Sequence, residues 1–406
     1  MKFSALTISA ATCIASVSAE FYLSEDFNDD NWTSRWTEST TWKSKGDMGS
    51  WKHTAGDFYG NEDDKGIKTI GDARFFGLSA KLDKPFVSGD KPLVMQYTVK
   101  HEQDLKCGGA YLKLLPGGDK FDSAAFGGDS PYAIMFGPDL CGSANKKTHV
   151  ILHDFEKDEN LLVKETIGME NDDLTHLYTL VIHPSNAFEV FIDGKLVKSG
   201  DLAKNFDFSD EPETIQDPEI KKPEDWVDDA KIVDPEDKKP DDWDEDSMEE
   251  IPQPDAVKPD DWDDEDDGEW EAPMIENPNY KGEWTPKLID NPEYKGKWEH
   301  PMIPNPKYKI NPNMYKVCRD GCTHVGFEIW QVEAGTIFDD IIVTDNVEEA
   351  QKYAQTTYFA KKEGEKTMYD ANMQKQREEA ASEDDFDSGD YYGGMPDLDG
   401  MMGDEL

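Results

Sequence analysis

The chain has 406 residues, with 42 basic and 88 acidic side chains and a formal charge of -46. Such a surplus of acid repels nucleic-acid phosphates and anionic lipid headgroups, so neither is an expected partner, and hard cations are favoured instead. Past the first 20 residues no window offers the roughly 20 uninterrupted apolar residues that a spanning helix needs, so no membrane insertion is expected. In chain order, Met1 and Lys2 precede an apolar stretch over 3–17, and Val17-Ser18-Ala19 stand just before Glu20. This is the pattern of a secretory signal peptide covering residues 1–19.

Residues 21–208 read as short strands divided by Gly, Asp, Asn and Pro, for example 93–99, 110–115, 133–136 and 150–153. The runs 177–183 and 188–192, then Asp193-Gly194 and 195–198, predict antiparallel strands with a tight Asp-Gly turn. An all-β sandwich of two sheets is therefore expected, and about 190 residues can bury a sizeable core.

Internal repeats then take over. Three copies of I-x-x-P-x-x-x-K-P-x-D-W occupy 215–226, 232–243 and 251–262, and three copies of G-x-W-x-x-x-x-I-x-N-P-x-Y-K begin at Gly268, Gly282 and Gly296 with a strict 14-residue period. Proline blocks helix and central-strand pairing, and one Trp plus one Ile per repeat cannot fill a globular core. Two tandem sets of equal number predict a long hairpin whose first limb runs out and whose second returns, with Trp of one limb packed on the other. Strand patterning resumes at 326–330 and 336–343, which predicts a return to the first sandwich and makes the arm an insertion. Ala, Glu, Lys, Gln and Met dominate 347–381, predicting a helix interrupted only at Gly364. Beyond residue 383 the acidic, Gly-rich and Tyr-rich tail contains no Lys or Arg and is expected to lack structure. The expected divisions are 1–19, 20–208, 209–310 for the arm, 311–350 for the second part of the sandwich, 351–382 for the helix and 383–406 for the tail. The chain closes in Gly403-Asp404-Glu405-Leu406, three letters of which match the K-D-E-L retrieval address. With the signal peptide this predicts the lumen of the endoplasmic reticulum.

Of five cysteines, Cys13 falls in the signal peptide, leaving Cys107, Cys141, Cys318 and Cys322 in an oxidising compartment. Four cysteines allow three pairings, and the residues themselves do not choose among them. No neighbouring His or Cys pair completes a zinc spacing beside Cys318 and Cys322. The sequon Asn31-Trp32-Thr33 makes Asn31 a candidate glycosylation site.

The K-P-x-D-W and N-P-x-Y-K-G repeats flanked by a sandwich resemble the calreticulin and calnexin family. So do Lys100-His101-Glu102-Gln103, Cys107-Gly108-Gly109-Ala110-Tyr111, Ile134-Met135-Phe136-Gly137-Pro138-Asp139 and Gly335-Thr336-Ile337-Phe338-Asp339. The resemblance implies a legume-lectin-like (concanavalin-type) β-sandwich with an inserted proline-rich hairpin arm and a C-terminal helix with an acidic tail. It also implies binding of monoglucosylated high-mannose glycans on folding glycoproteins, and no catalysis. By position the sugar-binding residues would be Tyr111, Lys113, Tyr132, Met135, Asp139, Glu328 and Trp330. Asp139 and Glu328 can accept from sugar hydroxyls, Lys113 and the tyrosines can donate, and the aromatic and Met faces can cover C–H surface. Glu328 departs from the Asp usual in calreticulins and keeps the carboxylate with one more methylene.

The resemblance further implies a Cys107–Cys141 disulfide. Cys318 and Cys322 have no family counterpart, and a small local bridge is preferred over a reactive thiol pair. For calcium it implies Asp26 and Asp339 with backbone oxygens around Asp63 and Lys65, and the short tail predicts reduced low-affinity storage. At the arm tip, Glu265, Asp267, Glu269 and Trp270 would recruit a disulfide isomerase family oxidoreductase. A monomer is expected. Two rivals stand beside this reading. One is a glycoside hydrolase on a similar sandwich, for which no E-x-D-x-x-E cluster lies on one strand. The other is a luminal calcium buffer with sugar-independent chaperone activity.

Overall fold

The computed structural model describes residues 20–118, 121–143, 145–262 and 268–389. The expected signal peptide and the Gly403 to Leu406 address lie outside the described residues. Local sequence explains how the strands arise. In Ala187–Ile192, Phe188, Val190 and Ile192 are buried while Glu189 and Phe191 are less so, the period of two that a half-buried strand requires. Asp193 (φ 54°) and Gly194 (φ 73°) then both occupy the left-handed region of a tight hairpin turn, and Ile192 pairs with Lys195 across it.

Two eight-stranded sheets result. The first runs Lys195–Asp201, Ala187–Ile192, Thr175–Ile182, Leu93–His101, Thr336–Thr344, Gly66–Ile70, Ser50–Thr54, with Phe21–Glu25 also on Thr336–Thr344. The second runs Glu159–Leu162, Asn145–Asp154, Ile134–Cys141, Cys107–Gly109, Cys322–Gln331, Arg74–Phe86, Trp36–Glu38. Its remaining strand, Leu112–Leu115, pairs with both Cys322–Gln331 and Ile134–Cys141. The two strands that follow the arm in sequence thus lie in the interior of the two sheets, and the described residues before 211 and after 308 form one compact unit.

Apolar side chains from the facing sheets fill the space between them. Phe327 and Phe338, one from each sheet, have ring centroids 4.2 Å apart, and both are fully buried. Each such side chain contributes roughly 2–3 kcal/mol of burial. Tyr97 crosses between the layers and donates to the carbonyls of Ala110 and Phe136 at 2.8 and 3.0 Å. At Gly137 (φ 135°) an added Cβ would fall 1.8 Å from the Tyr97 hydroxyl, so glycine is required there twice over.

The C-terminal segment differs from expectation. A helix at Val347–Thr356 is capped by Asn346, whose side chain accepts from the Glu349 amide, and Glu348 and Glu349 in its first turn suit the helix dipole. The chain breaks at Thr357, not at Gly364, and Thr356 and Thr357 both donate their hydroxyls to the Tyr353 carbonyl. Gly364 lies inside the second helix, Tyr358–Gly389, where a Cβ would fall 2.9 Å from Gly60 Cα. Its missing side chain lets the helix close on that loop. This helix also runs beyond the expected limit at 382.

Glu211–Tyr308 form a second unit, a ladder of three two-stranded sheets. Thr214–Gln216 pairs with Met302–Pro304, Lys231–Val233 with Leu288–Asp290, and Glu250–Pro252 with Met274–Glu276. First repeat therefore meets last, as in a hairpin. Ile215 faces Ile303, Ile232 faces Ile289 and Ile251 faces Ile275. The indole N–H groups of Trp226, Trp243 and Trp262 donate to the carbonyls of Gly296, Gly282 and Gly268 at 2.8–2.9 Å.

Candidate functional site

Strand register builds the first site on the outer face of the second sheet. Lys113 stands opposite both Met135 and Gly326, and Glu328 and Trp330 follow Gly326 at intervals of two, so all share one face. Lys113 is 3% exposed, and its Nζ lies 2.5 Å from Glu328 Oε2 and 4.7 Å from the centroid of the Tyr132 ring. Tyr111 borders the same ammonium at 6.0 Å, and Trp330 is 37% exposed.

Electrostatics fix which groups donate. Burial, then the charge of Glu328, pushes the Tyr111 and Tyr132 hydroxyls up, and Asp139 adds to the effect at Tyr111. Both therefore remain protonated donors. Burial acts to raise Asp139, but hydrogen bonds from His149 and Asn145 outweigh it and hold the carboxyl below its usual range. Asn145 Nδ2 and His149 Nε2 lie 2.7 and 3.1 Å from Asp139 Oδ2. The face thus combines an ionised acceptor, hydroxyl donors, a cation and aromatic surface, a set suited to a pyranose ring. Asn145 and His149 escaped the sequence reading. They flank Lys147, the cross-strand partner of Asp139, so the hairpin register is the signal that exposes them.

A second cluster lies on the first sheet, at the register shift in its interior strand Thr336–Thr344. Carboxylate oxygens of Asp64, Asp339 and Asp340 lie within 4.8 Å of one another. Burial raises Asp339 well above the usual carboxylate range and Asp340 to about 6. Among the described residues, Asp340 Oδ1 is buried without a hydrogen-bond partner. An all-oxygen set with an orphaned acceptor fits Ca²⁺. Of the sequence candidates, Asp339 is a member, and the charge of Asp26 helps to raise Asp340. Asp63 is exposed, and the Lys65 amide donates to Asn28 Oδ1. Asp64, between them, supplies the side chain. Asp64 and Asp340 were missed, although two adjacent acids inside the apolar run Thr336–Thr344 were a legible signal.

Comparisons with known proteins agree with this architecture. A family model described as the calreticulin family matches residues 23–267 and 265–343. Similar relatives include calreticulin of Onchocerca volvulus, 50% identical over 87% of this chain and 88% of that one, and calreticulin of Chlamydomonas reinhardtii, 53% identical over 91% and 86%. A solved T. cruzi calreticulin globular domain is 29% identical over 87% of this chain and 99% of that chain, with a TM-score of 0.59. The chain belongs to the calreticulin family.

As the family resemblance implied, Cys107 is bonded to Cys141, and the two face each other across neighbouring strands of the second sheet. The preferred Cys318–Cys322 bridge is also present, buried in the core. Asn31 is exposed beside the buried Trp32 and leaves its side chain reachable. Of the arm-tip residues, Glu269 is exposed and Trp270 half-buried, while Glu265 and Asp267 lie outside the described residues.

Proposed function

We propose that this protein is a calcium-binding lectin chaperone of the endoplasmic reticulum lumen, selective for monoglucosylated high-mannose glycans on folding glycoproteins. Membership of the calreticulin family supports the lectin-chaperone role and calcium binding in general. The observation that carries the sugar reading is the Lys113–Glu328 pair set among Tyr111, Tyr132, Met135, Asp139 and Trp330. The rings of Tyr111 and Tyr132 border the Lys113 ammonium. Polar groups built for a hydroxyl reject a ligand that lacks it, so a few such bonds can distinguish glucose from mannose.

Asp64, Asp339 and Asp340 would hold the calcium ion, with Asp26 adding negative potential, and the ion would neutralise carboxylates that burial otherwise disfavours. No catalytic step is assigned. The arm, through Glu265, Asp267, Glu269 and Trp270, would recruit an oxidoreductase of the disulfide isomerase family.

The test is calorimetric titration of the mature chain with a monoglucosylated mannose oligosaccharide and with its unglucosylated counterpart, in calcium, alongside Tyr111→Ala. Binding that depends on glucose and disappears in the variant is expected. Failure to bind either sugar would shift the function to calcium buffering with sugar-independent chaperoning.

A further inference from the structure

The acidic cluster already has a cation in it. Lys361, on the helix Tyr358–Gly389, places Nζ 2.5 Å from Asp64 Oδ2, 2.9 Å from Asp340 Oδ2 and 3.5 Å from Asp339 Oδ2. Of the six carboxylate oxygens, Lys361 meets one of each pair, Asn28 Nδ2 donates to Asp64 Oδ1 at 3.3 Å and the Asp340 amide donates to Asp339 Oδ1 at 2.7 Å. One oxygen is left over, because among the described residues Asp340 Oδ1 has no partner, and it is enclosed. Three carboxyls share a single ammonium, half the positive charge that a divalent ion would bring. A calcium ion takes six to eight oxygens, carries twice the charge and needs the space among these carboxylates.

The lysine is not an isolated side chain. Its helix docks on the loop that leads to Asp64. Gly364 packs on Gly60, the Tyr59 amide donates to Met368 Sδ at 3.4 Å, and the Tyr369 and Phe58 rings have centroids 5.0 Å apart. Asn372 Nδ2 reaches the Asp57 carbonyl at 3.5 Å. On the other side, Glu365 accepts from Thr175 Oγ1 at 2.6 Å and lies 3.5 Å from Lys100 Nζ. Lys361 therefore closes a contact in which the loop, the Asp339 strand and the C-terminal helix meet.

We propose that Lys361 and calcium are alternative occupants of the Asp64–Asp339–Asp340 cluster, so that calcium binding ejects the lysine and loosens the helix that carries it. This rests on the calcium reading above. Two like-charged ions cannot share so small a space, and a tethered competitor lowers apparent affinity by the fraction of time it fills the site. Lys361 then sets the calcium affinity, and the helix reports whether calcium is bound.

The experiment uses the full mature chain, with Ca²⁺ as the probe. Calcium affinity is measured by titration calorimetry for the native protein, Lys361→Met, Lys361→Arg and Asp339→Asn. Hydrogen exchange of residues 358–372 is followed with and without calcium. Lys361→Met keeps the stem and removes the charge, so calcium should bind roughly tenfold tighter or more. Lys361→Arg should stay near the native value. Calcium should speed exchange of the helix in the native chain and have little effect in Lys361→Met. If Asp339→Asn binds calcium as tightly as the native chain, the cluster is not the calcium site, and both readings fall. If Asp339→Asn weakens binding but Lys361→Met does not strengthen it, the site stands and the lysine is no competitor. Native thermal unfolding of the Met variant excludes misfolding as the cause.

Discussion

In the sandwich, Tyr97, Phe327 and Phe338 are sealed among side chains drawn from strands far apart in sequence. In the arm, Asn305 alone is buried among the described residues, and support comes from indole-to-carbonyl bonds and facing isoleucines repeated along the ladder. One region therefore has a shared core, and losing any part of it strains the whole. The other is a row of nearly independent rungs, in the manner of repeat proteins whose stability is a sum of local terms. Similar antiparallel pairing yields cooperative behaviour in one case and local behaviour in the other, because only the sandwich has a common interior.

Gly137→Ala attacks that interior most severely. The new methyl would collide with the Tyr97 hydroxyl, at a backbone angle that alanine resists. Strain and overpacking together should cost about 3–5 kcal/mol, read as a drop in the urea midpoint of the whole sandwich. A loss confined to one strand pair, seen by hydrogen exchange, would break the distinction drawn here.

Raising the pH is the next largest perturbation. His176 is 8% exposed, and although burial opposes its charge, hydrogen bonds from its ring to Asp172 and Asp193 raise its pKa to about 9. The folded value lies above the unfolded value near 6.5, so this stabilisation is complete below pH 6.5 and disappears as pH rises through 9. Thermal unfolding between those limits should show a loss of about 2–3 kcal/mol from the sandwich. His176→Gln should flatten the slope. An unchanged slope would remove His176 from the account.

How much of this was legible in the chain follows the same division. The repeats advertised the hairpin because each rung depends on residues within one short motif, and the Asp193-Gly194 turn announced its own conformation. The sandwich strands showed through their alternation. What escaped depended on pairing between distant segments. An alternating strand should turn one of Asp339 and Asp340 outward, yet the register shifts between Asp339 and Ile342, and Asp340 sits at φ 53° with both side chains buried. Lys361 was invisible as a partner because nothing local marks a helix lysine as bound for a loop nearly 300 residues earlier. Gly364 was read as a break for a related reason, since only the neighbouring Gly60 explains a glycine inside a helix.

Substituting Glu328 by Gln probes the proposed glycan face without opening the core. The pair with Lys113 becomes a neutral-to-charged hydrogen bond, and the acceptor loses its charge. Glycan affinity should fall roughly 10- to 100-fold, in line with a charged hydrogen bond worth about 1.5–3 kcal/mol. Trp270→Ala at the arm should leave glycan affinity unchanged while reducing capture of the proposed disulfide isomerase family partner. Parallel loss of both would mean that the two regions act as one in binding.

The smallest effect expected, and the most diagnostic of the arm, is that of Trp243→Phe. The ring stays aromatic, but the indole donor to the Gly282 carbonyl is gone, and the Lys281 ammonium 5.3 Å from the ring centroid keeps a weaker face to rest on. One hydrogen bond at a partly exposed site contributes about 1 kcal/mol. That bond lies between the Ile232–Ile289 and Ile251–Ile275 rungs, which should both open more often, so amide exchange across 231–233, 288–290, 250–252 and 274–276 should quicken a few-fold. The rung around Ile215 should exchange as before, because among the described residues no buried side chain links it to the damaged bond. Exchange that rises equally in all three would show that the ladder melts as a unit, and its stability would then have to come from something other than its repeated local bonds.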